Sequence, residues 1–204
     1  MVDSRYSESK YSMAQPKQMQ SKKERSSRSD WVFAALSLLG EKGLDRVTID
    51  ALCSKLGLTK GSFYWHFKGR QELLFAMAES WASTSTRDIH NQLRSSTMTD
   101  RQQLAELNRM STQMGYGNID RAMRIWAENC EETAKAVHQA DREILGFIEE
   151  KLINIGLKPK DARVLSKMSH ACSVGLFAVG PTLDNAEQKS FIHILTDVID
   201  RLIQ

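Results

Sequence analysis

The chain has 204 residues, with 28 Lys and Arg against 25 Asp and Glu, and only three prolines. That length suits one small unit plus one larger helical domain, and the dense use of Leu, Ala, Glu, Lys and Arg favours helices over sheet. No apolar stretch approaches the roughly 18 residues that span a bilayer, and the N-terminus is polar, so a cytoplasmic protein without membrane contact is expected.

The small net charge is unevenly placed. Residues 1–29 carry seven Lys and Arg against three Asp and Glu, residues 30–78 carry six against five, and the remainder carries 15 against 17. The first stretch is rich in Ser, Gln, Lys and Arg and nearly free of core-forming residues, so residues 1–28 read as a disordered basic arm. Its Ser21–Arg28 segment precedes the first helix directly, where it would lie along phosphates, enter a minor groove, or remain a solvated tail.

Asp30 is placed to cap that helix. Val32, Ala35, Leu36 and Leu39 then repeat the i, i+3, i+4, i+7 spacing until Gly43 stops it. Thr48 can cap a second helix, with Asp50 in its first turn and Ile49, Leu52, Cys53 and Leu56 on one face. Gly57 can close it in a left-handed conformation, and Thr59 can cap a third helix running from Lys60 to about Phe67. Two short helices around so tight a turn spell a helix-turn-helix. Phe63 and Phe67, four apart, would face inward, leaving Tyr64, Trp65 and His66 outward or at the rim. Gly61 costs a helix roughly 1 kcal/mol, which suits a backbone that approaches another surface closely, although a weak first turn explains it equally. A fourth helix from Arg70 to about Ser83 carries Leu73, Leu74, Met77 and Trp81, with Gly69 as its cap and Glu72 as half of a capping box.

The stretches Glu41–Thr48, Leu58–Phe67 and Lys68–Leu74, in that order, resemble the tetracycline-repressor (TetR) family of bacterial transcription factors. The resemblance implies an all-α chain with an N-terminal three-helix DNA-binding domain (29–83) and a larger helical effector-binding and dimerisation domain (84–204). It implies a DNA surface of Thr48, Thr59, Lys60, Gly61, Ser62, Tyr64, Trp65, His66, Lys68 and Arg70. Thr48 resembles a phosphate anchor, Tyr64 and His66 resemble groups that touch phosphate or base, and Arg70 occupies the place of a basic phosphate contact. Gly69 departs from the Ser, Asn or Lys that many members carry there. The family also implies a fourth helix that transmits a signal, and a homodimer that meets successive major grooves about 34 to 36 Å apart on palindromic double-stranded DNA.

Further amphipathic helices are expected at about 86–96, 100–114, 118–128, 131–156, 160–179 and 186–203, interrupted at Gly115 and Gly117, Gly156 with Pro159, and Gly180 with Pro181. Val164, Met168, Ala171, Gly175 and Ala178, then Phe191, Ile194, Leu195, Val198 and Leu202, line one side of the last two helices, which in the family pack as a four-helix bundle between subunits. Met110, Met114, Tyr116 and Met123, with Trp126, His138 and Phe147, are candidates for an effector pocket of adaptable apolar groups, with ordinary core packing as the alternative. Cys130 joins them, as a redox thiol or, by default, as an ordinary buried one.

The function expected is therefore a repressor released from its operator by a small-molecule effector. The alternative is a DNA-binding protein governed by a protein partner or acting in chromosome organisation. No phosphate-cradling glycine loop, H-E-x-x-H, G-x-S-x-G or paired cysteine set occurs, so no enzyme, cofactor or metal site is expected.

Overall fold

In the computed structural model, residues 26–113, 116–179 and 185–203 are described, and no strand occurs among them. The arm's residues 1–25, the break at Gly115 and the break at Gly180 with Pro181 lie outside the described residues.

Helix α1 (Arg28–Lys42) is capped by Ser27, whose hydroxyl accepts from Asp30 N while the Asp30 carboxylate accepts from Ser27 N at 2.7 Å. Asp30 is thus the fourth member of a capping box rather than the cap, and Ser27 supplies the oxygen instead. A 3-10 turn (Leu44–Arg46) follows Gly43, whose φ of 81° suits glycine. Helix α2 (Ile49–Leu56) begins as expected at Thr48, which accepts from Ala51 N at 3.2 Å, and closes at Gly57 in the left-handed region. Helix α3 (Lys60–His66) begins at Thr59, which accepts from Ser62 N at 3.3 Å.

Helix α4 (Arg70–Ala82) does not stop near Ser83. It continues through a π-helical segment, Ser83–Asp88, into α5 (Ile89–Ser95), one helical run where a break was expected. Within that segment the fully buried Thr86 hydroxyl lies between the Ala82 carbonyl and the Glu143 carboxylate, an arrangement that suits the widened backbone turn. Glu72 reaches back to Lys68 N at 2.8 Å rather than to the Gly69 cap, and it also pairs with Arg28 at 3.2 Å.

The remaining helices are α6 (Asp100–Gln113), α7 (Tyr116–Ala127), α8 (Glu131–Asn154), α9 (Pro159–Val179) and α10 (Asn185–Ile203). Gly117 lies inside α7 instead of breaking it, whereas Gly156, at φ 111°, does end the turn after α8.

One hydrophobic core runs from Leu52 and Phe63 of the helix-turn-helix through Trp31 and Met77 to Met123, Trp126 and Val137 of α7 and α8. Helix α1 comes so close to α7 that a Cβ on Gly40 would stand 2.9 Å from Ile119 Cγ1. A second cluster joins Ile148 and Leu152 of α8 to Leu157, Ala162 and Leu165.

Candidate nucleic-acid interface and internal cavity

Helix α3 has only seven residues, too few to hold itself in water, so its position must come from packing. Phe63 and Phe67 are buried completely or nearly so, stacked on each other with centroids 5.4 Å apart, and Trp31 meets Phe63 edge-on at the same distance. The aromatic underside fixes which residues stand outward. Trp65 is 80% exposed and Tyr64 56%, while Thr59, Lys60, Gly61 and Lys68 are also exposed and Ser62 and His66 are half-buried. Thr48 is exposed at the start of α2. A Cβ on Gly61 would meet only Thr59 Oγ1, at 3.7 Å, so packing within the chain does not require glycine there.

The Lys60 charge beside this ridge is paired but exposed. The Lys60 ammonium lies 2.7 Å from the Asp50 carboxylate, and both groups are well exposed, so the lysine can exchange its partner for a phosphate. Arg70 is engaged within the fold. Its Nε donates to the Val47 carbonyl at 2.7 Å and an Nη2 donates to that of Leu44 at 3.0 Å, so the guanidinium ties α4 to the turn that leads into α2. Arg28, assigned by sequence to the arm, is instead part of the folded unit: its guanidinium covers the Phe67 ring at 4.7 Å. Ser26 Oγ lies 3.5 Å from Ser62 Oγ, so the chain enters α1 directly beside the third helix.

A partly open cavity of about 100 Å³ lies where the two apolar clusters meet. Trp81, Ile89, Leu107, Met110, Ile144 and Ile148 supply apolar wall, and Asp120, Arg124 and His170 are prominent at its polar end. Arg124 reaches Asp120 through Nε at 2.8 Å and Nη2 at 3.3 Å, and Asp141 through Nη1 at 3.1 Å and Nη2 at 2.8 Å. His170 Nε2 is 2.8 Å from Asp141 Oδ1. Burial works against the Asp141 charge, but the contacts with His170 and Arg124 outweigh it and hold this carboxyl well below the usual carboxylate range.

Of the candidate effector residues, Met110 lines this cavity, while Met123 and Trp126 are core and His138 is exposed. Phe147 is buried elsewhere on α8, stacked at 4.3 Å on His90, whose imidazole burial pushes down to about 4. Met114 and the side chain of Tyr116 lie outside the described residues. None of the three cysteines is fully buried: Cys53 and Cys130 are half-buried, and Cys172 is exposed. Residue type had suggested methionines and aromatics. The ionic end of the cavity carried no such signal, because Asp120 and Arg124 read as an ordinary i,i+4 surface pair.

The family model of bacterial regulatory proteins of the tetR family matches residues 33–77, from within α1 to within α4. The chain is 45% identical over 49 residues to the class A tetracycline repressor of Escherichia coli from transposon 1721, covering 24% of this chain and 23% of that protein. The chain thus spans about a quarter of the length of the curated relatives it matches. Likeness of fold reaches further. The Streptomyces coelicolor TetR-family regulator SCO4454 superposes with a TM-score of 0.72 at 18% identity, covering 87% of this chain and 90% of that one. BioQ, solved with its double-stranded DNA operator, gives a TM-score of 0.50 at 21% identity, covering 85% and 98%. Residues 33–77 thus carry the helix-turn-helix of the tetR family, and the described residues that follow have the fold of solved TetR-family regulators.

Proposed function

We propose that this protein is a cytoplasmic, homodimeric repressor that binds a palindromic operator through α3 and leaves it when a small molecule occupies the α4–α9 cavity. The observation that carries the reading is the exposed ridge of Tyr64, Trp65 and Lys60 on a helix pinned from below by Phe63 and Phe67. Such a ridge fits a major groove, with Tyr64 and His66 at phosphates or base edges and the cap at Thr48 holding a phosphate. The BioQ complex supports the mode of binding for that protein, and the shared fold brings it to this one.

Dimerisation is supported by the last two long helices. Val164 and Met168 of α9 and Ile194, Val198 and Leu202 of α10 are exposed apolar side chains, an unusual surface for a monomer and a natural one for a four-helix bundle between subunits. The mainly apolar cavity, with its few polar groups, favours a small-molecule effector over a protein partner. Such an effector acts only by preferring the dimer whose recognition helices are wrongly spaced for DNA.

The test is to capture genomic DNA fragments with the purified protein at near-physiological salt, where non-specific attraction is suppressed, and sequence them. A palindromic site enriched beside its own or a neighbouring gene is expected. No enriched site would overturn the DNA-binding reading, and many dispersed sites would replace the local repressor by a chromosome-wide role.

A further inference from the structure

We propose that the cavity selects a compact apolar ligand bearing a positive charge, a short alkylammonium rather than an alcohol or a carboxylate. The inference rests on the small-molecule reading above and concerns the chemistry of that same cavity.

Its polar end is short of positive charge. Two carboxylates, Asp120 and Asp141, share one guanidinium, Arg124, which uses four of its N–H groups on them. Among the cavity-lining residues and their ion-pair partners, the other titratable group is His170, already within 2.8 Å of Asp141. With a neutral imidazole the cluster carries one surplus negative charge, and with an imidazolium it is balanced, so it is positive in neither state. The other polar lining groups, Asn108, Ser169 and Ser173, are uncharged.

Burial makes that surplus count. The side chains of Asp120 and His170 are each only 15% exposed, and that of Arg124 23%, so water screens them weakly. An incoming carboxylate would have to take Arg124 from Asp120 or Asp141, leaving a half-buried anion without its partner. An ammonium needs no displacement. It adds a donor to Asp120, which lines the cavity and is paired with Arg124, while the ligand's chain replaces empty space between Leu107, Ile144 and Ile148.

Size sets the rest. A dry apolar cavity of roughly 150 Å³ takes benzene. The cavity here is about 100 Å³, room for a chain of a few carbons unless the walls move.

The experiment uses the full chain and three probes of one length, n-butylamine, n-butanol and butyrate, titrated at pH 7.5 by calorimetry. The expected result is at least tenfold tighter binding of the ammonium than of either other probe, with the preference lost in Asp120→Asn. Should Asp120→Asn fail to fold, Ile148→Phe, which fills the cavity with an apolar group, should abolish butylammonium binding by itself. Equal or tighter binding of the alcohol or the carboxylate overturns the proposal, as does binding of none of the three. The same titrations in the presence of captured operator DNA separate the two readings. Butylammonium that binds without loosening DNA upholds the ligand class and refutes effector release, whereas release by neutral or anionic compounds alone refutes the ligand class and upholds release.

Discussion

Replacing Arg70 by lysine keeps a positive charge at the start of α4 but removes the fork that grips two carbonyls, so the variant separates a positioning role from a phosphate contact. The bonds at 2.7 and 3.0 Å involve an ionised donor, and each such bond is worth about 1.5 to 3 kcal/mol. They are unequal. The Leu44 carbonyl keeps a second donor, Val47 N at 3.1 Å, so losing the arginine does not orphan it, whereas Val47 is buried and, among the described residues, no second donor to its carbonyl stands in the turn. The expected loss is therefore below the full sum of two such bonds, about 2 to 3 kcal/mol for Arg70→Ala and only slightly less for Arg70→Lys, because an ammonium cannot reach both acceptors in one geometry. In a chain of this size that lowers the melting temperature by roughly 5 to 10 °C, read by circular dichroism. DNA affinity should fall in both variants without a change in salt slope, since the number of phosphates neutralised is unchanged. If Arg70→Lys melts with the wild type and only Arg70→Ala loses DNA, with a shallower slope, the guanidinium contacts phosphate and the positioning role is refuted.

Tyr64→Ala and His66→Ala should each weaken operator binding by about 1 to 3 kcal/mol in an anisotropy titration, with melting unchanged; unaltered affinity in both would exclude them from the interface. Deleting residues 1–25 should flatten the salt dependence of binding, while an identical slope would make the arm a spectator. His90, pushed down to about 4 from an ordinary 6.5, binds its proton more readily in the unfolded chain. Stability is then fully present above pH 6.5 and declines as pH falls towards 4, by roughly 3 kcal/mol, which His90→Leu should remove from urea titrations at stepped pH. Gly40→Ala gains helix propensity of up to about 1 kcal/mol but drives a methyl against Ile119, so a net loss of stability is expected, and a higher melting temperature would mean α7 yields freely.

The N-terminal elements were legible because their signals are local. A cap oxygen acts on a backbone two or three residues away, and a terminating glycine acts where it stands, so Thr48, Gly57 and Thr59 declared α2 and α3 without reference to the rest of the chain. Ser27 and Asp30 show the limit of such reading, since either oxygen could begin α1 and only the pair of hydrogen bonds assigns the roles. The bonds of Arg70 were not legible because its acceptors are carbonyls 23 and 26 residues earlier, and carbonyls carry no sequence signature. The polar end of the cavity was not legible for a related reason. It is made by the meeting of α4 to α9, so Met123 and Trp126, apt by chemistry, face the core, while Asp120 and His170, 50 positions apart, share one polar end through Asp141.

The apolar core that passes from Phe63 through Trp31 to Trp126 and Val137 bears on how such a regulator can be taken apart. A fragment ending at residue 83 would expose to water the faces of α1 and α4 that pack on α7 and α8, so it should be poorly folded and prone to aggregate. A chimera that exchanges DNA specificity with another family member would keep its stability only if the seam ran around this core, carrying α7 and the first turns of α8 along with α1 to α4, or if the graft were confined to the outward residues of α3. On the proposed reading of α3, evolution faces the same constraint: Lys60, Tyr64 and Trp65, whose side chains the core does not enclose, are the positions that can change at least cost to the fold.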